Sequence, residues 1–222
     1  MNEKQQKLLN FLSIFSVGTL LISNLAAIKI WDLIGIPADG GLLTFPLIYI
    51  LSDITVEFFG KETARGTLYA GLALNIAAII VFKLVALLPA YPGWTKYDVY
   101  NMLANTSTRI IIASLIAYLA SQILDHLLFE RVKEQTGEKP FWIRSIGSSV
   151  LARLVDSAIF ETIAFLGVLP TVDFVKQAFF AWGAGTLIEI LLLPVSSLLV
   201  RRIRKSLEKP SEEPQSTKPR LN

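Results

Sequence analysis

The chain has 222 residues, of which 53% are hydrophobic, and its formal net charge is +3. Its mean hydropathy of +0.53 exceeds what the core of a soluble domain of this length requires, so we expect a membrane protein. The absence of cysteine excludes a disulfide framework and a thiolate metal site.

Six apolar segments are predicted to be transmembrane helices, since a span needs about 20 such residues. In chain order they cover residues 8–30, 42–59, 67–88, 110–129, 146–168 and 178–200. The predicted fold class is therefore an all-α membrane protein whose six helices form one domain over residues 1–204. Residues 205–222 are too polar to bury a core, and we expect a disordered cytoplasmic tail there.

The distribution of lysine and arginine predicts the orientation of these helices. Fifteen of the 21 basic residues fall on the side that carries both termini, and four fall on the opposite side. By the positive-inside rule both termini are cytoplasmic, which describes a multi-pass protein of the cell (inner or plasma) membrane. The longest external connection covers residues 89–108. Its aromatic residues are interpreted either as an interfacial belt or as a lid over a substrate entrance.

Charged residues at depth are the main clue to function, because a charge at the centre of a membrane helix costs roughly 2.5–3.5 kcal/mol. Among the charges within or at the inner edge of predicted spans are Asp53, Glu57, Arg153, Asp156 and Glu189. Charges of both signs predict a polar, ligand-sized site inside the bundle. A structural salt-bridge network explains them equally well, and both interpretations hold if the charges pair when the site is empty.

The second segment places Asp53 and Glu57 four residues apart, on one helix face. If the helix continues beyond Gly60, Lys61 and Arg65 share that face. Asp53 lies about 10 Å inside Gly60, beyond the reach of a basic residue of its own helix, which favours a functional role. Glu57 lies nearer the surface, where an ion pair with Lys61 is an equal alternative.

The fifth and sixth segments bring further charges to a similar depth. Arg153 and Asp156 are three residues apart and can pair on one helix face. Glu189 in the sixth segment and Asp53 in the second are the other candidate partners of Arg153.

Polar residues in the remaining segments are weaker candidates. Gln122 and Asp125 share a face of the fourth segment, and Asn24 lies in the first, where interhelical hydrogen bonding is the default expectation. His126 is the only histidine, so no metal site is predicted. Pro194 is expected to kink or end the sixth helix.

The string from Thr44 to Lys61 resembles the hallmark second helix of the queuosine-precursor transporter family. Weaker agreement comes from Ser23 with Asn24, from Arg109, Ser114, Gln122 and Asp125, and from Ser149, Asp156 and Phe160. The family is similar to vitamin-uptake substrate-binding subunits, and its six-helix architecture with both ends inside agrees with the predicted topology.

The resemblance implies uptake of 7-deazaguanines, namely preQ0, preQ1 or queuine, for tRNA queuosine synthesis or salvage. A carboxylate accepts both the N1–H and the exocyclic amine of such a base, Arg153 or Gln122 can donate to its O6, and an aromatic ring can stack on it. The implied substrate-binding residues are Asn24, Phe45, Tyr49, Asp53, Glu57, Gln122, Asp125, Arg153, Asp156, Phe160 and Glu189.

Two positions depart from the family's pattern. Arg153 stands where a polar neutral residue is usual, and Glu189 stands where a basic residue is usual. The exchange preserves a pair between the fifth and sixth helices and leaves the exact substrate open.

Two other functions remain open: a related carrier for another base or vitamin, and a substrate-binding subunit that needs an ATPase partner. An enzyme is not expected, since the chain has no phosphate-binding loop, dinucleotide fingerprint or paired-histidine zinc motif. We expect no cofactor, no nucleic-acid partner, and contact with membrane lipid. A homo-oligomer or an energising partner is left open.

Overall fold

A computed structural model describes the backbone of residues 1–136 and 141–208. Its six helices are α1 (Glu3–Ala26), α2 (Phe45–Phe59), α3 (Lys61–Ala86), α4 (Tyr97–Thr136), α5 (Phe141–Phe165) and α6 (Thr171–Glu208). Between α1 and α2 the chain forms an antiparallel hairpin of β1 (Ile30–Leu33) and β2 (Ile36–Asp39), followed by a 3₁₀ turn, Gly40–Leu43. The predicted helical architecture is present, but the first predicted span, 8–30, is wrong at its end, because α1 ends at Ala26 and Ile30 belongs to β1.

Four of the described helices are long and apolar enough to cross a membrane: Glu3–Ala26, Lys61–Ala86, Tyr97–Ser121 and Thr171–Leu192. Large apolar side chains are exposed along them, among them Phe15, Ile22, Ile80 and Leu84. Exposed apolar side chains on helices long enough to cross a bilayer are expected where the helices face lipid. The protein is therefore an all-α membrane protein; six spans with cytoplasmic termini stay a prediction.

Two contacts between helices show which ends of the bundle lie together. The hydroxyls of Ser13 on α1 and Thr67 on α3 are 3.2 Å apart, so the first halves of these helices run side by side. Arg204 near the end of α6 pairs with Glu57 near the end of α2, directly before α3 begins. The start of α1 and the end of α6 thus share one end of the bundle, which we call the terminal end. The opposite end, with the β-hairpin, is the hairpin end.

Gly60 separates α2 from α3. Its φ of +84° lies in the left-handed region, where glycine carries no steric penalty, and α2 ends at Phe59 while α3 begins at Lys61. Helix α2 therefore ends at the predicted residue, and the condition under which Lys61 and Arg65 would share the face of Glu57 is not met.

The core lies mainly where α4 packs along α5. It contains Ala113, Ala117, Ala164, Phe160 and Phe165, each no more than 9% exposed. The alanines allow the two backbones to approach closely, which is how membrane helices gain packing energy. The two phenylalanine rings meet edge to face with centroids 5.9 Å apart.

Arg109 ties the hairpin end of this helix pair together. Its Nε donates to the carbonyl of Ile163 and its Nη2 to the carbonyl of Leu166, both at 2.6 Å. The last carbonyls of a helix have no partner within the helix. Arg109 therefore caps α5 and fixes that end of the helix against α4.

The hairpin folds back onto the end of α1. The Gly40 amide donates to the carbonyl of Lys29 at 2.8 Å, and a Cβ at Gly40 would lie only 2.4 Å from the carbonyl oxygen of Ala26. The indole N–H of Trp31 donates to the carbonyl of Asp39 at 3.2 Å. These contacts hold the end of β2 inside the bundle.

Most helix boundaries differ from those predicted, and α4 and α6 differ most from the predicted spans 110–129 and 178–200. Helix α4 begins at Tyr97, so much of the predicted connection 89–108 is helical. Helix α6 begins at Thr171, continues through Pro194 and ends at Glu208. A criterion based on hydropathy alone does not detect the polar terminal turns of these helices. Residues 209–222, which make up most of the predicted tail, lie outside the described residues.

Candidate functional site

Six of the predicted site residues have described side chains. The side chains of the other five, Tyr49, Asp53, Gln122, Asp125 and Glu189, lie outside the described residues, although their backbones belong to α2, α4 and α6. The described set falls into separate places rather than one site.

Asp156 lies on the face of α5 that packs against α4. The Ser121 hydroxyl donates to its Oδ1 at 3.2 Å. The Arg153 guanidinium, one helical turn earlier, lies within electrostatic range of this carboxylate, as does the half-buried Tyr118 phenol. Arg153 and Asp156 are thus close enough to interact, as their spacing predicted. We call Asp156, Ser121 and Arg153 the central cluster.

Glu57 lies at the terminal end and pairs with Arg204 of α6. Both side chains are about half exposed, with relative accessibilities of 45% for Glu57 and 59% for Arg204. An ion pair in such a setting contributes about 0–1 kcal/mol. An ion pair was one of the two interpretations of Glu57, and the structure shows one that bridges two helices.

Asn24 is fully buried and joins α1 to α3. Its Nδ2 donates to Oδ1 of Asn75 at 2.9 Å, and Nδ2 of Asn75 donates to the carbonyl of Gly71 at 2.8 Å. This is the interhelical hydrogen bonding expected for the position. Phe160, predicted as a stacking ring, is 9% exposed and lies in the core between α4 and α5.

A second polar group, which the sequence analysis did not select, lies at the hairpin end. Glu161 of α5 is 1% exposed, and its Oε2 accepts a hydrogen bond of 2.8 Å from Nε2 of Gln177 on α6. Gln177 is itself 0% exposed. Its Oε1 has no hydrogen-bond partner among the described residues. The pair links α5 to α6 and leaves one buried acceptor available.

Asp39, at the end of β2, adds a second carboxylate to this group. Its side chain is buried and accepts a 2.8 Å hydrogen bond from the Gly41 amide. Burial raises the pKa of Asp39 to about 6. The Asp39 carboxylate lies within electrostatic range of Glu161, so two acids from separate elements lie close together.

Phe45 at the start of α2 completes the group. A Cβ built on Gly41 would lie 2.7 Å from Oδ1 of Asp39 and 2.7 Å from Cε2 of Phe45, so the ring and the carboxylate are neighbours. We call Asp39, Phe45, Glu161 and Gln177 the hairpin-end cluster. It offers an aromatic ring, two carboxylates and an amide; among the described residues no set of histidine, cysteine or acidic side chains is arranged to hold a metal.

The comparison that identifies the chain is with a family of sequences described as "Putative vitamin uptake transporter", whose model matches residues 39–199. The match covers well over half of the chain. The chain belongs to this family.

Three relatives of this chain are named queuosine precursor transporters. A "Probable queuosine precursor transporter" of Bacillus subtilis (strain 168) is 26% identical over 149 residues, which cover 67% of this chain and 65% of that protein. A protein of the same name in Haemophilus influenzae is 26% identical over 185 residues, covering 73% and 74% of the two chains. The "Queuosine precursor transporter" of Escherichia coli (strain K12) is 26% identical over 162 residues, covering 73% and 71%. No solved structure matches the chain.

The region that matches the family, residues 39–199, contains both polar clusters. Of the predicted site residues, Asn24 alone falls before residue 39. Of the hairpin-end cluster, the sequence analysis predicted only Phe45. The other three members were missed because Asp39 and Gln177 lie just outside predicted spans and Glu161 lies near the end of one. A charge inside a predicted span was nevertheless a usable signal for Glu161.

Proposed function

We propose that the protein imports queuosine precursors of the 7-deazaguanine class, preQ0, preQ1 or queuine, across the cell membrane. The observation that carries the proposal is the family match over residues 39–199, together with three relatives named for this transport. Acidic and amide side chains buried between the helices support it, because lipid-facing helices bury such groups only where they pair or contact a substrate pathway.

In the proposed orientation all six helices span the membrane, the terminal end faces the cytoplasm and the hairpin end faces outwards. The fifteen lysines and arginines assigned to the side of the termini support this orientation. The Glu57–Arg204 pair then lies at the cytoplasmic surface, where partly exposed charges remain hydrated.

We place the substrate pathway along the interior of the bundle, past the central cluster of Asp156, Ser121 and Arg153. In this proposal a carboxylate accepts the N1–H and exocyclic amine of the base, and Arg153 or Gln122 donates to O6. The acids Asp53, Asp125 and Glu189 and the ring of Tyr49 belong to the same proposed pathway. The proposed surroundings are membrane lipid, with a homo-oligomer or an energising partner left open.

Complementation of a bacterium that cannot synthesise preQ0 and lacks its own importer tests the proposal. The strain expressing the chain receives preQ0, preQ1 or queuine at nanomolar levels, and queuosine is measured in its tRNA. We expect queuosine with at least one precursor. Asp156→Asn should reduce it by at least about tenfold if Asp156 contacts the base, since one lost charged hydrogen bond is worth roughly 1.5–3 kcal/mol.

Asp173→Asn is the matched control, because Asp173 is partly exposed at the start of α6 and pairs only locally with Lys176 in the described contacts. It should leave queuosine unchanged. Membrane expression of the wild-type chain without queuosine from any precursor would refute the proposal. That result would favour a related carrier for another base or vitamin.

A further inference from the structure

The hairpin-end cluster gathers side chains from four separate parts of the chain. Asp39 comes from β2, Phe45 from α2, Glu161 from α5 and Gln177 from α6. Strand β2 packs against α6, which brings the first carboxylate towards the Glu161–Gln177 pair. Residues distant in sequence therefore meet at a place that is separate from the central cluster.

The cluster contains a buried acceptor that no described residue satisfies. Oε1 of Gln177 is fully buried, yet none of the described donors reaches it. The large majority of buried side-chain polar atoms in proteins have a hydrogen-bond partner. An N–H group of a ligand at this position would supply the missing donor.

The chemistry of the cluster defines the class of ligand. Its polar groups are mainly acceptors, namely two carboxylates and an amide oxygen, and Phe45 adds a ring beside them. Such a set matches a planar base with several adjacent N–H donors, which can stack on an aromatic ring. An anionic ligand would instead bring its own charge against Asp39 and Glu161.

We propose that the hairpin-end cluster binds the substrate base, with Glu161 accepting the N1–H and exocyclic 2-amine, Gln177 Oε1 accepting a further ring N–H, and Phe45 stacking. The proposal rests on the proposed function and adds the location of the base-recognition site. In the proposed orientation it lies in the outer half of the bundle. The central cluster is then passed later along the pathway.

Competition between two ligands tests this assignment. Uptake of labelled preQ0 by cells expressing the full chain is competed with unlabelled preQ0 and with its analogue that lacks the 2-amine. A bidentate contact to a base edge typically discriminates by about 1–3 kcal/mol, or roughly 5- to 150-fold in affinity. Wild type should therefore prefer preQ0 by a factor in this range.

Glu161→Gln should reduce this preference to within about threefold, because a neutral amide cannot accept both N–H groups. Asp156→Asn should lower uptake while preserving the preference, and Asp173→Asn should change neither. If Glu161→Gln does not reach the membrane, Glu161→Asp replaces it. That variant keeps the charge but withdraws it by one methylene, and it should also lose the preference.

The outcomes separate the two proposals. A purely structural Glu161–Gln177 contact predicts that the Glu161 variants lower stability while the preference for the 2-amine persists. That result overturns the site assignment alone. If Asp156→Asn, and not the Glu161 variants, abolishes the preference for the 2-amine, the site assignment is also overturned. The central cluster is then the base-recognition site. A wild-type chain that imports no 7-deazaguanine refutes the proposed function, and this inference with it.

Discussion

Asp39 provides a quantitative prediction, because an ionised carboxylate at the buried end of β2 should cost stability at neutral pH. Burial raises its pKa from 3.8 to about 6, a difference of about 2 units. At about 1.4 kcal/mol per unit, this corresponds to about 3 kcal/mol. Since the folded state binds this proton more tightly, the contribution of Asp39 to stability is present below pH 4. It is lost as the pH rises to about 6.

Asp39→Asn isolates this contribution. The amide Oδ1 can still accept the hydrogen bond from Gly41, but the side chain no longer ionises. We expect equal unfolding free energies for variant and wild type near pH 4, and a variant more stable by up to about 3 kcal/mol at pH 7. Relief of the repulsion between Asp39 and Glu161 acts in the same direction.

The assay is unfolding of both proteins in the same detergent between pH 4 and pH 7.5. Taking the difference between the two curves cancels the titration of the other acids to first order. Parallel curves across this range would refute the reasoning, since they would show that Asp39 titrates alike in the folded and unfolded states. A variant less stable than wild type at every pH would show that the charged form is required for packing.

Two further predictions concern the hairpin and the terminal end. Gly40→Ala should destabilise the protein by about 1–3 kcal/mol in the same assay, because its Cβ would lie 2.4 Å from the Ala26 carbonyl oxygen. Gly18→Ala is the control. A Cβ at Gly18 would have no atom within 4 Å, so this variant should be neutral or stabilising. Equal effects of the two alanines would contradict this. Glu57→Arg and Arg204→Glu should each destabilise the protein. The double exchange should recover about 0.2–1 kcal/mol of unfolding free energy in a double-mutant cycle. A coupling energy of zero would show that the pair contributes nothing.

Much of the helical architecture was predictable because a helix that crosses a lipid bilayer has to be long and apolar. The polar first turns of α4 and α6, beginning at Tyr97 and Thr171, could not be located in this way. Outside the hydrocarbon a helix no longer needs apolar side chains, so hydropathy does not mark its end. Backbone hydrogen bonding and packing decide these boundaries.

The hairpin had a local signal that a search for spans passed over. Short apolar stretches flank Ile34 and Gly35, which both adopt positive φ, 54° and 79°. Glycine in a two-residue loop between such stretches is typical of a tight hairpin. The position of Asp39 inside the bundle was not predictable, since it depends on contacts of Gly40 with the distant end of α1.

The two acids of α5 show why depth alone was an insufficient guide to the site. Asp156 and Glu161 are five residues apart, which separates them by about 7.5 Å along the helix and about 140° around it. Their contacts agree with this geometry, since Asp156 meets Ser121 of α4 and Glu161 meets Gln177 of α6. They therefore face different neighbours, and a single base edge cannot engage both at once. The preference for preQ0 over the analogue without the 2-amine, measured in Asp156→Asn and in Glu161→Gln, consequently assigns the base-recognition site to one face of α5.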